Sequence, residues 1–331
     1  MAEPALYPLR FAPIFQYRLW GGRRLADWLT APLPGDGPIG EAWLLSDRDD
    51  YPSRVADGPL SGRTIAQLIE QSPRLMLGQR LGKSRRFPVL LKFLDAQKML
   101  SVQVHPADAK FELIPEGETG KTEAWVVLEA VPGSRIYAGL QPAVTAQDLS
   151  ALSKRSVEAA LASFRPERGQ AILIDAGVVH SLGDGVVVFE IQQNSDVTYR
   201  LYDWDHTDPK SGRRRALQVE QALACIDLDR GPVRPISPLN EITQPCKRER
   251  LFDDPHFQVW RLQGEVPFSV GAIDEPRVLV CLDGAGSVDH EGAGFGMERG
   301  TVMLLPAAVG ECRFRPEHSV TVLEIAVPVP P

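Results

Sequence analysis

The chain has 331 residues, of which 44% are hydrophobic and 24% charged, and its formal net charge is −7. This is the composition of a folded globular protein, and the negative charge argues against a nucleic acid or an anionic membrane as partner. No run reaches the ~18 apolar residues that a membrane-spanning helix needs. The four cysteines are dispersed, so we expect reduced thiols and a cytoplasmic protein.

Short apolar runs rich in β-branched residues dominate the sequence. Glycine, proline, aspartate and asparagine separate them at short intervals, as in sandwiches and barrels built from many short strands. We therefore predict a mainly β fold. The runs that predict strands are residues 87–96, 100–105, 124–131, 170–177, 185–193, 278–284, 301–308 and 320–327.

Three segments have the apolar spacing of helices instead. Residues 61–77 carry apolar side chains on one helical face, and residues 214–226 form a shorter third candidate. The second candidate, residues 144–164, begins with Thr145 and Asp148 at the spacing of a capping box. We expect these helices to be insertions in the β framework.

The strands form an internal repeat. The segment ERGQAILIDA (167–176) matches ERGTVMLLPA (298–307), and VVVFEI (186–191) matches VTVLEI (320–325). A third block, WVVLEAVPGS from Trp125, matches VLVCLDGAGS from Val278. We infer two copies of one β module, at about residues 80–205 and 245–331, and two domains, residues 1–240 and 241–331.

Polar residues at strand ends in the first copy predict a metal site. In LSVQVH, Gln103 and His105 share one face of a strand because side chains alternate. Glu123 opens the next strand, and His180 closes DAGVVH. Two imidazoles, a carboxylate and an amide oxygen suit a divalent first-row metal such as zinc.

The second copy has lost this set. Extending the ERG match without gaps places His180 against Glu311, and extending the third block places Glu123 against Pro276. Proline has no side-chain ligand. We therefore expect the second copy to bind no metal and to bury the apolar back of the first.

Further polar residues lie near the predicted ligands. Ser101 and Lys121 each come two residues before a ligand and offer a hydroxyl and an ammonium to a phosphate. Glu190 ends an apolar run, so burial requires that it have a partner or a role. Arg200 ends QQNSDVTYR, and the run 213–215 (RRR) is either a solvated helix start or a loop over an anion.

Several ordered segments resemble the short bacterial type I mannose-6-phosphate isomerases: WGGRRL, IGEAWLLSD, LKFLDAQKMLSVQVHPAD, GKTEAWVVL and AGVVHSLGDGVVVFEIQQNSDVTYRLYDWD. The resemblance implies a double cupin, two β-sandwich (jelly-roll) modules, with one zinc ion per chain. It departs at Val126, where many relatives carry tyrosine. It implies the following roles: Gln103, His105, Glu123 and His180 as zinc ligands; Arg200 and Glu190 as catalytic residues; Ser101 and Lys121 as phosphate contacts.

The implied reaction interconverts mannose 6-phosphate and fructose 6-phosphate through a cis-enediol, in a monomer or a weak homo-oligomer. Three alternatives stay open: another sugar-phosphate isomerase of the cupin class, a non-catalytic cupin that binds metal and sugar, and an iron-dependent cupin dioxygenase. The dioxygenase has no evident use for Gln103, Lys121 and Arg200. A non-catalytic cupin has no evident need for both Arg200 and Glu190.

Overall fold

The structure, a computed structural model, describes residues 5–82 and 84–328. Its first part is a succession of strands with short helices between them. In chain order the elements are β1 Leu9–Arg10, β2 Ile14–Gly22, β3 Ile39–Leu45, α1 Ile65–Gln71, α2 Pro73–Leu81, β4 Val89–Ala96, β5 Val102–Val104, β6 Glu123–Ala130, β7 Arg135–Leu140, α3 Ala146–Ser150, α4 Lys154–Ala160, β8 Leu161–Phe164, β9 Ala171–Ile174, β10 His180–Gly183, β11 Val186–Gln193, β12 Tyr199–Tyr202 and α5 Val219–Cys225.

The last third of the described chain consists of strands and the turns between them. They are β13 Leu239–Ile242, β14 Lys247–Asp253, β15 Gln258–Gly264, β16 Phe268–Val270, β17 Arg277–Asp283, β18 Ala285–His290, β19 Ala293–Glu298, β20 Val302–Leu305, β21 Cys312–Pro316 and β22 Val320–Ala326. All strand runs predicted from the sequence are present. None of the described helices is long and apolar enough to cross a membrane.

The strands form four antiparallel sheets, two in each half. The first half has a six-stranded sheet, β2-β3-β4-β11-β6-β9, and a five-stranded sheet, β12-β5-β10-β7-β8. The second half has a seven-stranded sheet, β1-β20-β17-β22-β15-β14-β13, and a four-stranded sheet, β16-β21-β18-β19. The mainly β prediction with inserted helices is confirmed.

The two halves repeat one topology of eight strands, β4–β11 and β15–β22. The neighbour order β4-β11-β6-β9 recurs as β15-β22-β17-β20, and β5-β10-β7-β8 recurs as β16-β21-β18-β19. Even the β-bulge at Val187–Val188, in the β6–β11 pair, has its counterpart at Cys281–Asp283, in the β17–β22 pair. We call β4–β11 the first module and β15–β22 the second module.

The strand register corrects one detail of the sequence alignment. Glu123 pairs with Ile174, and Arg277 pairs with Leu305. Since Ile174 matches Leu305 in the ERG repeat, the counterpart of Glu123 is Arg277, one residue beyond the predicted Pro276. A shift of one residue along a strand changes the face that a side chain occupies, so this correction replaces a ligand by a cation.

The largest apolar core lies between the modules. Its buried side chains come from the faces that the six- and seven-stranded sheets turn toward each other, among them Phe189 and Ile191 from the first sheet and Leu323 and Ile325 from the second. The first strand of the chain also belongs to the sheet of the second half, because β1 pairs with β20. The second module therefore covers the apolar back of the first, while the division at residue 240 stays a prediction.

The helical segments differ from prediction in two places. Residues 144–164 form two short helices, of which α3 begins with the predicted Thr145–Asp148 capping box. The end of this segment is strand β8, because Ile136 and Phe164 pair across β7 and β8 and sheet pairing overrides local helix propensity. Residues 213–215 precede α5 as a loop rather than as a helix start.

The shared core makes a prediction about Ile325. This side chain is fully buried between the modules, whereas Ile273 is 78% exposed. Ile325→Asp places an unpaired carboxylate in apolar surroundings, so we expect the free energy of unfolding to fall by more than about 3 kcal/mol. Ile273→Asp, the matched control, is expected to stay within about 0.5 kcal/mol of the parent in urea denaturation. Equal stability of the two variants would contradict a shared core.

Candidate metal centre and active-site cleft

Strands β5, β6 and β10 bring the predicted ligands together. Val102 and Val104 pack into the outer core against the helices, which turns Gln103 and His105 to the inside of the module. Gln103 pairs directly with His180 across β5 and β10. Glu123 is the first residue of β6. Alternation along β5 and the strand register therefore bring together four residues that are far apart in sequence.

Three of these residues form a compact buried cluster. The Nε2 atom of His105 lies 3.3 Å from Oε2 of Glu123, and Nε2 of His180 lies 3.3 Å from Oε1 of the same carboxylate. Each side chain is 1% exposed. Within residues 5–82 and 84–328, this is the one group of three histidine, cysteine or acidic residues whose ligand atoms all lie within 4.8 Å.

Both imidazoles are held in one tautomer. Nδ1 of His105 donates to the carbonyl oxygen of Val197 at 2.7 Å, and Nδ1 of His180 donates to that of Val178 at 2.9 Å. The proton is thereby fixed on Nδ1, and the lone pair of each Nε2 faces Glu123. Backbone partners of this kind orient histidine ligands in metal sites.

The protonation states of the cluster suit a cation. Burial, assisted by the Lys121 ammonium, lowers the pKa of His105 to about 3. Burial also lowers the pKa of His180, so both rings are neutral at pH 7. For Glu123, burial raises the pKa, but the Lys121 ammonium outweighs burial and holds this pKa well below its ordinary value. Neutral imidazoles beside a carboxylate are the forms that bind divalent metals.

The cluster fits a divalent cation for a simple reason of charge. Neutral Nε2 atoms and a carboxylate all present lone pairs to one another at 3.3 Å, with no proton between them. The buried Oε2 of Glu123 has no hydrogen bond of good geometry to any described residue. A cation among these three lone-pair donors satisfies all of them at once, which is the arrangement of open divalent-metal sites.

Gln103 lies beside the cluster, with its amide nitrogen rather than its oxygen toward His180. Its nitrogen donates to Nε2 of His180 at 3.2 Å, and its oxygen accepts from the Ser101 hydroxyl at 2.9 Å. Ligation of a metal through the oxygen requires a half-turn of the amide. The Ser101 hydroxyl accommodates both orientations because it can accept as well as donate a hydrogen bond.

Lys121 belongs to the cluster itself. Its ammonium lies 3.0 Å from Oε2 of Glu123 and 3.3 Å from Nε2 of His105, and the residue is 4% exposed. Burial lowers its pKa, but Glu123, Glu190 and Asp196 outweigh this effect and raise it. Lys121 is therefore a charged neighbour of the metal ligands.

Glu190 lies further along the same interior, on β11. The indole Nε1 of Trp125 donates to its Oε2 at 2.8 Å, and the Lys92 ammonium lies 3.5 Å from its Oε1. Burial and the nearby Glu123 carboxylate raise the pKa of Glu190 to about 7, against the opposing charges of Lys92 and Lys121. A carboxyl group with a pKa near 7 can both accept and donate a proton at neutral pH.

A cleft of about 440 Å³ opens onto this interior. Gln103, Lys121 and Glu190 line its inner part, and Arg200 lies beside them because it pairs with Gln103 across β12 and β5. Seven cationic and four acidic side chains line the cleft, although the whole chain is acidic. The cleft is thus a local cationic site suited to a small anion.

Comparison with known proteins identifies the family. A family model for the phosphomannose isomerase type I catalytic domain matches residues 9–122. The mannose-6-phosphate isomerase ManA of Bacillus subtilis is 33% identical over 309 residues, covering 92% of this chain and 94% of that protein. The chain belongs to the type I mannose-6-phosphate isomerase family. A mannose-6-phosphate isomerase of Streptococcus mutans, another member, is 31% identical over 317 residues, covering 95% of this chain and 96% of that protein.

Solved structures agree with this assignment. The mannose-6-phosphate isomerase structure from Bacillus subtilis superposes with a TM-score of 0.86 at 26% identity, over 96% of this chain and 99% of that one. A phosphomannose isomerase mutant from Salmonella typhimurium reaches a TM-score of 0.78 at 14% identity, over 97% of this chain and 99% of that one. The second comparison shows the fold alone.

Four charged residues of the cleft in this family member, Lys92, Glu41, Asp196 and Arg18, were missed by the sequence analysis. The Lys92 ammonium lies 4.0 Å from Glu41 and 3.8 Å from Asp196 in addition to Glu190. Arg18 holds Glu41 through two hydrogen bonds of 2.9 and 3.1 Å. The available signal was the lone lysine in the apolar strand VLLKFLDA, because a buried ammonium requires partners. Its partners come from distant segments, so their identity was not visible.

The second module keeps one carboxylate of this site but has arginines where the first module has acidic neighbours. Glu324 on β22 matches Glu190, and Arg248 donates to it at 3.0 Å. Among the described residues, no group of three possible metal ligands lies beside this buried ion pair. Strand register gives the replacements from first to second module as Glu123 to Arg277, Lys92 to Trp260 and Glu41 to Arg248.

The position of Lys92 predicts a large effect on stability. Lys92→Met removes the buried cation from Glu41, Glu190 and Asp196, so we expect the free energy of unfolding to fall by about 3–5 kcal/mol in urea denaturation. Adding Glu190→Gln should restore part of this loss because one uncompensated carboxylate disappears.

The exposed Lys154 provides a control for the removal of a lysine charge. Lys154→Met is expected to leave stability within about 0.5 kcal/mol of the parent. A loss below about 1 kcal/mol for Lys92→Met, or no recovery in the double variant, would show that Lys92 does not compensate the three carboxylates.

Proposed function

We propose that this chain is a zinc-dependent isomerase that interconverts mannose 6-phosphate and fructose 6-phosphate through a cis-enediol. The observation that carries the proposal is the buried cluster of two neutral imidazoles and a carboxylate beside Gln103 and Lys121, which line a cationic cleft. Family membership supports the same activity. A sugar phosphate has carbonyl and hydroxyl oxygens that can bind a metal, and a phosphate dianion that can bind the cationic side chains of the cleft.

His105, Glu123 and His180 would hold the metal, with Gln103 as a fourth ligand after its amide turns. These nitrogen and oxygen donors suit zinc, and we propose one ion per chain. When bound, zinc supplies Lewis-acid polarisation of the substrate oxygens at C1 and C2. The Val197 and Val178 carbonyls keep the two histidines in the tautomer that this ligation requires.

Proton transfer between C1 and C2 requires a group that accepts a proton from one carbon and returns it to the other. We propose Glu190 for this role, since it faces the cleft and its pKa is raised to about 7 by burial and Glu123. Trp125 fixes one carboxylate oxygen by its hydrogen bond. The Lys92 ammonium near the other oxygen favours the ionised carboxylate, so Glu190 can release the proton again after accepting it.

We assign to Arg200 the stabilisation of the negative charge that develops on the enediol oxygens. It sits opposite Gln103, and its buried Nε has no hydrogen bond to a described residue. Burial and the neighbouring Arg215 lower the pKa of its guanidinium, yet arginine remains charged at neutral pH. A guanidinium with free donors that faces a developing oxyanion acts mainly in the transition state.

The proposed function is tested directly with the purified, zinc-loaded protein. We expect it to convert mannose 6-phosphate to fructose 6-phosphate in a coupled assay, to lose this activity on chelation and to regain it with zinc. The matched pair His180→Ala and His290→Ala separates the two modules, because His290 lies on β18 of the second module and only the first variant should lose metal and activity. Full activity in metal-free protein, or no isomerisation by the zinc-loaded protein, would refute the proposal.

Replacing Arg200 tests its assignment to the transition state. Arg200→Ala should lower kcat by roughly a hundredfold while zinc content stays intact. Arg200→Lys keeps the charge but loses the planar donors, so an intermediate loss is expected. Steady-state kinetics with metal analysis provide the measurement. If Arg200→Ala raises only KM, Arg200 binds substrate and does not stabilise the enediolate.

A further inference from the structure

The segment between β12 and α5, residues 203–217, is a long loop whose two ends meet beside the metal cluster. The backbone N–H of Gln218 donates to the carbonyl of Arg200 at 2.9 Å, and the N–H of Arg200 donates to the Gln218 side chain at 3.2 Å. Arg200 in turn pairs with Gln103. Loops closed in this way are frequently functional, and this one is fixed to the strand next to a predicted ligand.

The loop extends from this anchor across the cleft to β2. The Tyr17 hydroxyl donates to Asp208 at 2.8 Å, and the Lys210 ammonium lies 3.5 Å above the Tyr17 ring. The returning limb then places three successive arginines, residues 213–215, in the lining of the cleft. We call residues 203–217 the arginine loop.

The three arginines differ in how they are held. Arg215 is fixed to Asp203 through two nitrogen–oxygen contacts, one of which is 2.8 Å long. Arg214 forms an exposed pair with Asp205 at 2.9 Å. The side chain of Arg213 has no ion pair or hydrogen bond to a described residue, although it lines the cleft. The loop therefore presents one positioned guanidinium and one that is free to bind an anion.

Lys121 and Ser101, the predicted phosphate contacts, lie directly beside the predicted metal ligands. The Lys121 ammonium lies 3.0 Å from a carboxylate oxygen of Glu123, and the Ser101 hydroxyl donates to Gln103. A phosphate bound at Lys121 would occupy the position that the reacting carbons need, because C1 and C2 lie at the opposite end of the sugar from the phosphate. The phosphate therefore needs cations further out in the cleft.

We propose that the arginine loop binds the phosphate of the substrate, with Arg213 and Arg215 as the main contacts and Arg18 on the opposite wall. This inference rests on the proposed function, since it takes the carbonyl end of a sugar phosphate to lie at the metal cluster. Guanidinium groups match phosphate oxygens through paired hydrogen bonds. Gln218, which anchors Arg200, directly follows this loop, so phosphate binding and the reacting end depend on adjacent residues of the chain.

The test uses full-length zinc-loaded protein and three variants of exposed or cleft arginines. Arg213→Gln removes a side chain without a protein partner, and Arg215→Lys keeps the charge beside Asp203 while losing the planar fork. Each should raise KM for mannose 6-phosphate about tenfold, with kcat within about threefold of the parent. Arg313→Gln, an exposed arginine of β21, should change neither value.

Inorganic phosphate separates the failure of this inference from that of the proposed function. Its dissociation constant, measured by titration calorimetry without turnover, should rise about tenfold in Arg213→Gln and Arg215→Lys and stay unchanged in Lys121→Met. The reverse pattern, with weaker binding only in Lys121→Met, would overturn the inference and favour the Ser101–Lys121 site. A zinc-loaded parent that binds phosphate through the loop but does not isomerise would refute the function and leave the loop site standing.

Discussion

The structure of the first module depends on one buried negative charge, the carboxylate of Glu123. An isolated carboxylate in this interior would be strongly unfavourable, so it needs a compensating cation. Lys121 supplies one at 3.0 Å, whereas the two histidines turn unprotonated Nε2 atoms toward the carboxylate because backbone carbonyls hold their other nitrogens. The lone pairs of the two Nε2 atoms and of the carboxylate therefore converge, and this arrangement suits a divalent cation.

The two modules share one β framework but carry charged residues of opposite sign at equivalent positions. Strand order, sheet neighbours and a β-bulge are shared, so the framework itself specifies neither metal nor substrate. The difference comes from a few inward positions, where Arg277 and Arg248 of the second module face its remaining carboxylate, Glu324, in place of acidic residues. The Glu324 carboxylate of the second module is paired with Arg248, and the sheet that carries it covers the apolar side of the first module.

Sequence patterns predicted what depends on alternation and short-range repetition. The spacing in LSVQVH placed Gln103 and His105 on one face, and the ERG repeat identified strands that occupy equivalent places. Features set by pairing between distant segments were not predictable. Residues 161–164 continue a helical pattern but pair with β7, and the counterpart of Glu123 moved by one residue because the strand register fixes it. The partners of Lys92 likewise come from three separate segments.

We expect one metal ion to bind in the first module, at the two histidines and Glu123, and none to bind in the second. Crystals of the zinc-loaded protein, measured on both sides of the zinc absorption edge, test it most directly. We expect one anomalous peak per chain within bonding distance of Nε2 of His105, Nε2 of His180 and the Glu123 carboxylate. A peak beside Glu324 in the second module, or no peak at the first-module cluster, would contradict it.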